Sequence, residues 1–115
     1  MSGLREIRMS TPVRVSLIGA PTDIGAGHRG ASMGPEALRV AGIATALRAR
    51  GIDVLDRGNL AGPVNPWQPP SEGYRHLPEV VTWTRSVMHA VKAELDAGRL
   101  PILLGGDHCL AIGSI

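Results

Sequence analysis

Four consecutive residues near the end of the chain, Gly105-Gly106-Asp107-His108, combine the residue types from which metal centres are built. Two glycines let a backbone turn sharply and pack closely. The imidazole that follows offers a ring nitrogen to a metal ion, and the neighbouring carboxylate can orient that ring from outside the ligand set. The plain alternative is a structural histidine at a strand end, and residue types alone leave both readings open. A second constellation, Gly25-Ala26-Gly27-His28-Arg29-Gly30, has the Gly-x-Gly-x-x-Gly spacing that cradles a dinucleotide pyrophosphate, with Asp56 available as the acid that holds a ribose. Its context is wrong. The first glycine of that fingerprint follows its strand directly and the third opens a helix, whereas here Pro21-Thr22-Asp23-Ile24 intervene and helix signals wait for Pro35.

The other reactive side chains read more simply. Cys109 has no assignable general base and makes a poor nucleophile. His28 lies in the glycine loop without a visible partner. Asp23 reads as a loop cap before it reads as a ligand. His76 falls in a proline-rich stretch and is expected at the surface. His89 shares the polar side of a helix with Arg85 and Lys92 and is expected to be solvated.

These residues must be placed by the elements around them. Val13 to Ile18 reads as a strand, stopped by Gly19 and Pro21. Residues 21 to 34 form a glycine-rich loop. One helix then runs from Pro35 to about Arg50, with Pro35 at its first position, Glu36 in the first turn, basic residues in the last and Gly51 beyond the end. Val40, Ile43, Ala44 and Leu47 make its apolar stripe. Ile52 to Leu55 is a second strand, and residues 57 to 78, rich in proline, glycine and asparagine, read as a surface excursion. A second helix spans about Pro78 to Ala97, with the stripe Val80, Thr84, Val87, Met88, Val91 and Leu95 and Gly98 as its stop. Pro101 to Leu104 is a continuous apolar strand of the kind buried on both faces. Residues 110 to 115 read as the opening of a third helix. Alternating strands and helices imply a parallel sheet with right-handed crossovers, and such sheets bind ligands at the carboxyl ends of their strands. Residues 19 to 34 and 105 to 109 both sit there.

Composition excludes several function classes. With 115 residues, 43% of them hydrophobic, the chain has material for a core, but it lacks Phe, so that core must be aliphatic. A net charge of +2 from scattered arginines, and too few aromatics for a base-stacking platform, argue against a nucleic-acid partner. One cysteine cannot close an intrachain disulfide, which favours a reducing compartment. The opening Met-Ser-Gly-Leu-Arg-Glu-Ile-Arg has no apolar stretch behind it, and no run approaches the ~18 residues that span a bilayer. The expectation is a cytoplasmic protein without membrane association.

The closing run Gly105-Gly106-Asp107-His108-Cys109-Leu110-Ala111-Ile112-Gly113-Ser114-Ile115 resembles the first metal motif of the arginase–agmatinase (ureohydrolase) family. Arginases commonly carry Gly-Gly-Asp-His-Ser there, followed by a near-identical Leu-Ala-Ile-Gly-Ser, and the departure is Cys109 in place of Ser. Ile18-Gly19-Ala20-Pro21, the loop Gly25 to Gly30, Met33-Gly34-Pro35-Glu36-Ala37-Leu38-Arg39, Ala41-Gly42, and the strand exit at Asp56, Gly58, Asn59 and Leu60 resemble the family as well. The likeness covers roughly residues 13 to 115, apart from the proline-rich excursion. Arg29-Gly30 with Met33-Gly34-Pro35 leans toward arginase over agmatinase.

The resemblance implies a three-layer α-β-α fold with a parallel sheet, of which residues 1 to 115 form the amino-terminal part of a single domain, with the first three strands and their helices. It implies that His108 is a direct manganese ligand, with Asp107 supporting it, in a centre that holds two Mn2+ ions. The implied activity is hydrolysis of L-arginine to L-ornithine and urea, with other guanidino substrates, such as those of agmatinase and guanidinobutyrase, as alternatives. A trimeric or hexameric homo-oligomer is implied too. The family's remaining ligands, in an Asp-Ala-His-x-Asp and an Asp-x-Asp motif, do not occur in this sequence, nor do the catalytic and substrate-binding residues. The 115 residues by themselves are therefore expected to be inactive. The unpaired apolar edge of the third strand is expected to make them marginally soluble or self-associating. A non-catalytic module that uses this half-fold for binding or oligomer contacts is the reading from a different class.

Overall fold

A computed structural model of the chain describes residues 13–25 and 30–106. Three strands, β1 (Arg14–Ala20), β2 (Asp53–Asn59) and β3 (Leu100–Gly105), form one parallel sheet in the order β2-β1-β3. A 3-10 turn (Ala31–Met33) leads into α1 (Gly34–Val40) and α2 (Ile43–Arg48), and α3 (Leu77–Asp96) connects β2 to β3. The helices divide between the two faces. Val15, Leu17, Val54 and Leu104 pack with Ile43, Ala44 and Leu47 of α2 on one side. Ala20, Ile24, Trp83 and Val87 pack with Val80, Val91 and Leu103 on the α3 side. The result is the expected α-β-α arrangement.

Strand β1 is central, and every residue from Val15 to Ala20 is buried. Alternate side chains enter opposite cores, so truncating Leu17, which is wholly inaccessible to solvent, is expected to cost about 2–5 kcal/mol. Among the described residues β3 has a strand partner on one side, and Leu100 stays half exposed.

The expected single helix from Pro35 to Arg50 is two helices. Gly42, at φ +92°, holds a left-handed conformation between them. A residue without Cβ adopts that backbone at little steric cost, so the helix axis turns there. The turn also undoes part of the expected stripe: Ile43, Ala44 and Leu47 reach the core, whereas Val40 is 87% exposed. In α3 the buried face is shifted likewise. Trp83, Val87 and Glu94 are buried, while Met88 and Leu95 face outward. His89 is exposed, as expected. No helix among the described residues is long and apolar enough to cross a membrane.

At the amino end of the sheet a polar network lies inside the fold. Arg99 is 6% exposed and donates from Nε to Ser16 Oγ (2.7 Å) and from Nη2 to the Val15 carbonyl (2.6 Å). Its backbone N–H donates to the Glu94 carbonyl at 2.9 Å. The buried Glu94 carboxylate accepts from Arg57 Nε at 2.8 Å. The Ser16 hydroxyl and then the Arg57 guanidinium hold the Glu94 carboxyl below its ordinary range. Two arginines and a carboxylate that look like surface charges in the sequence thus include two groups, Arg99 and Glu94, that fix the end of α3 and the start of β3 against β1.

Candidate functional site

The carboxyl end of the sheet is assembled through backbone contacts. After β1 the chain turns at once: Thr22 N–H donates to the Ala20 carbonyl at 2.9 Å, and Ile24 N–H to Thr22 Oγ1 at 3.1 Å. Gly106, directly after β3, lies so close to this first loop that a Cβ there would overlap the Thr22 carbonyl oxygen. Gly34, opening α1, approaches β3 in the same way, and a Cβ on it would overlap the Gly105 carbonyl. The exit of β3 is therefore wedged between the first loop and the start of α1. Backbone atoms on both sides cannot swing aside as a flexible side chain would, so side chains larger than hydrogen do not fit. The two regions that the sequence set at this edge, residues 19 to 34 and the Gly-Gly turn, meet in space.

The predicted ligand His108 and its neighbour Asp107 lie outside the described residues, as do Cys109 and His28. Among the described residues no group of three His, Cys, Asp or Glu side chains is arranged to hold a metal ion. Asp56 is engaged elsewhere. Arg39 grips it with Nε to Oδ2 at 3.0 Å and Nη2 to Oδ1 at 3.1 Å, while Nη1 donates to Glu36 Oε1 and Asn59 Oδ1, each at 2.6 Å. The Arg39 hydrogen bond is the largest cause of a lowered Asp56 pKa, and Asp56 in turn raises that of Arg39. A carboxylate occupied by a two-pronged guanidinium is not offering itself to a ribose, which removes the acid from the dinucleotide reading. This cluster ties α1 to the exit of β2.

Asp23 has the loop role expected of it: Asn65 Nδ2 donates to its carbonyl at 2.9 Å and to Oδ1 at 3.2 Å. His76 corrects an expectation. It is 7% exposed, not a surface residue, and its Nδ1 lies 2.7 Å from the Ile24 carbonyl. Proline and glycine content made the segment from 57 to 78 read as solvent-facing, but part of it folds back onto α3. Trp83 Nε1 donates to the Pro63 carbonyl at 2.8 Å, and the Trp83 ring fills the space beside Gly62. Between the first loop and this segment lies a cavity of about 550 Å³ lined by Thr22, Asp23, Asn65, Trp67 and Trp83.

A parallel sheet whose carboxyl edge is cinched by glycines, followed by Asp and His, matches the family model described as "Arginase family" over residues 13–115. The chain belongs to the arginase family. An arginase from Brucella melitensis is 41% identical over 100 residues, covering 86% of this chain and 32% of the relative. One from Brevibacillus brevis is 38% identical over 101 residues, covering 88% and 34%. The native structure of arginase from Bacillus caldovelox superposes with a TM-score of 0.80 at 33% identity, covering 89% of this chain and 35% of that one. The chain thus spans about a third of the length of these arginases. The family match reaches from β1 through the Gly-Gly-Asp-His run.

Proposed function

We propose that the protein to which these residues belong hydrolyses L-arginine to L-ornithine and urea with a pair of manganese ions, and that His108 is one of their ligands. The observation that carries this reading is the family match, which covers residues 13–115 and so includes the Gly-Gly-Asp-His motif. The fold supports it, because the wedged Gly105-Gly106 turn fixes where the chain leaves the sheet's carboxyl edge, and parallel α/β sheets bind ligands there.

The donor chemistry of the motif fits the metal. A neutral imidazole nitrogen and carboxylate oxygens suit manganese, and a carboxylate beside the ligand histidine stabilises its orientation. Bound manganese supplies a water nucleophile at neutral pH, which the resonance-blunted guanidinium carbon requires. His108 would ligate the metal, and Asp107 would help hold the ring's orientation. With no second metal-binding group among the described residues, the other ligands and the substrate contacts are assigned to the two thirds of the arginase length that these residues do not cover. In this reading residues 1 to 115 are the amino-terminal part of one domain in a cytoplasmic homo-oligomer acting on a small guanidino substrate. The 115 residues alone release no urea.

The test uses the protein as its own gene encodes it. Manganese-dependent urea release is measured with L-arginine, agmatine and 4-guanidinobutyrate. Turnover of arginine over the other two supports the reading, and preference for either of them moves the protein to another ureohydrolase activity. His108→Ala is expected to abolish turnover and metal retention. Asp107→Ala is expected to weaken metal binding by about 10- to 100-fold. Full activity in His108→Ala overturns the assignment.

A further inference from the structure

We infer that Asn65 and His76 are positioning residues, which clasp the first loop from the proline-rich segment and so hold the seat on which Gly106 rests. The significance of that seat rests on the function proposed above; the clasp itself does not, and neither does its test.

Two consecutive carbonyls of the first loop are each held by a side chain from far along the chain. Asn65 Nδ2 donates to the Asp23 carbonyl at 2.9 Å across 42 residues. His76 Nδ1 meets the Ile24 carbonyl at 2.7 Å across 52 residues. The other ring nitrogen of His76, Nε2, accepts from Gln68 N–H at 3.0 Å. The Ile24 carbonyl can only accept, so Nδ1 carries a proton and donates to it, while Nε2 sits against both backbone groups of Gln68, its N–H and, at 3.1 Å, its carbonyl. Asn65 is fixed as well, because its Oδ1 accepts from Trp67 N–H at 2.8 Å.

The backbone of the segment is strained where it makes these contacts. Non-glycine residues with positive φ among the described residues are Trp67 (52°), Glu72 (53°) and His76 (51°), all within it. Such conformations cost about 1–3 kcal/mol each and persist where surrounding contacts over-determine them. Two of the three flank the Gln68–His76 bond. A loose surface loop would relax out of them. On the other side of the held loop, the Thr22 carbonyl lies where any Cβ on Gly106 would have to go. A shift of the Thr22–Ile24 backbone therefore moves the floor under the turn that leads to Asp107 and His108.

The test is residue-resolved amide hydrogen exchange on the protein as its own gene encodes it. The reporters are Thr22 and Ile24, whose N–H groups bond within the loop, with Val87 and Val91 of α3 for comparison. His76→Asn keeps a donor near the position of Nδ1 and tolerates positive φ. His76→Gln places its amide near Nε2 and loses the bond to Ile24. His76→Gly accepts the backbone conformation and lacks both bonds, which separates relief of strain from loss of the clasp. Thr22 and Ile24 are expected to exchange about tenfold faster in the Gln and Gly variants, to stay near wild type in Asn, and to leave α3 unchanged. Asn65→Ala, which leaves His76 intact, is expected to give a smaller rise at the same amides. If the His76 variants do not fold, this variant decides the matter alone. Unchanged loop exchange in Gly and Gln, or an equal rise in loop and α3, overturns the clasp. Loss of manganese activity in His108→Ala with a normal loop bears on the function alone.

Discussion

The two ends of the sheet are fastened by different means. At the amino end, Arg99, Ser16, Glu94 and Arg57 join β1, β2, α3 and β3 through charged side chains, with Arg99 and Glu94 nearly withdrawn from water. At the carboxyl end the closest approaches are backbone on backbone, through Gly34 and Gly106, and the polar side chains that act there bind carbonyl groups of the first loop. The difference lies in what each fastening tolerates. A side-chain network tolerates small shifts because long arginines can follow them. A glycine seat tolerates almost none, because backbone pressed on backbone has no flexible side chain to yield.

The contrast can be broken first at the amino end. Arg99→Ala leaves Ser16 Oγ and the Val15 carbonyl without their guanidinium donor inside the fold, while the Glu94 carboxylate keeps Arg57. Each buried acceptor left unsatisfied costs about 1–3 kcal/mol, and the urea midpoint is expected to fall accordingly. A loss below 1 kcal/mol would mean that water replaces the guanidinium without penalty.

Gly106→Ala breaks the other end. Its new methyl meets the Thr22 backbone, and the strain of overpacking is about 1–3 kcal/mol. Under the proposed function its second expected effect is the sharper one: manganese affinity drops in Gly106→Ala and stays unchanged in Arg99→Ala at temperatures where both are folded. Equal effects on the metal would erase the distinction between the two ends.

Acid sharpens the comparison further. The carboxyls of Glu94 and Asp56 are both held low in the folded protein, by Ser16 and Arg57 in one case and by Arg39 in the other. A depressed folded pKa gives stability that is fully present above the unfolded value, about 4, and is lost as pH falls through the folded one. Urea midpoints are therefore expected to be level from pH 7 to about 5 and to decline below that. Glu94→Gln should flatten more of the decline than Asp56→Asn, because Glu94 is buried and Asp56 is a third exposed. The smallest effect belongs to Lys92→Ala. Its pair with Asp96 lies on the same helix two residues from Glu94, yet both side chains are mostly in water, and no resolvable change in midpoint is expected.

The sequence by itself determined the order and type of the elements, because those depend on neighbours three, four or two residues away. Strand β1 announces itself in a β-rich run closed by Pro21, α3 in an apolar periodicity bounded by Pro78 and Gly98, and the candidate site in Gly105-Gly106-Asp107-His108. It also carried the family, through motifs that are contiguous in the chain. Gly42 stands in the sequence, but the apolar spacing runs smoothly across it and nothing local states its φ of +92°.

The tertiary structure decided the rest. Arg99 reaches Ser16 across 83 residues and His76 reaches Ile24 across 52, so composition near each residue suggested solvent where the fold supplies partners. A polar side chain is buried only when distant groups satisfy it, and no local pattern records which distant groups will arrive. The glycines at 34 and 106 show the same limit. Their identity is written in the chain, but the reason for it, a carbonyl oxygen pressed against each, exists only once β3 has been laid beside β1.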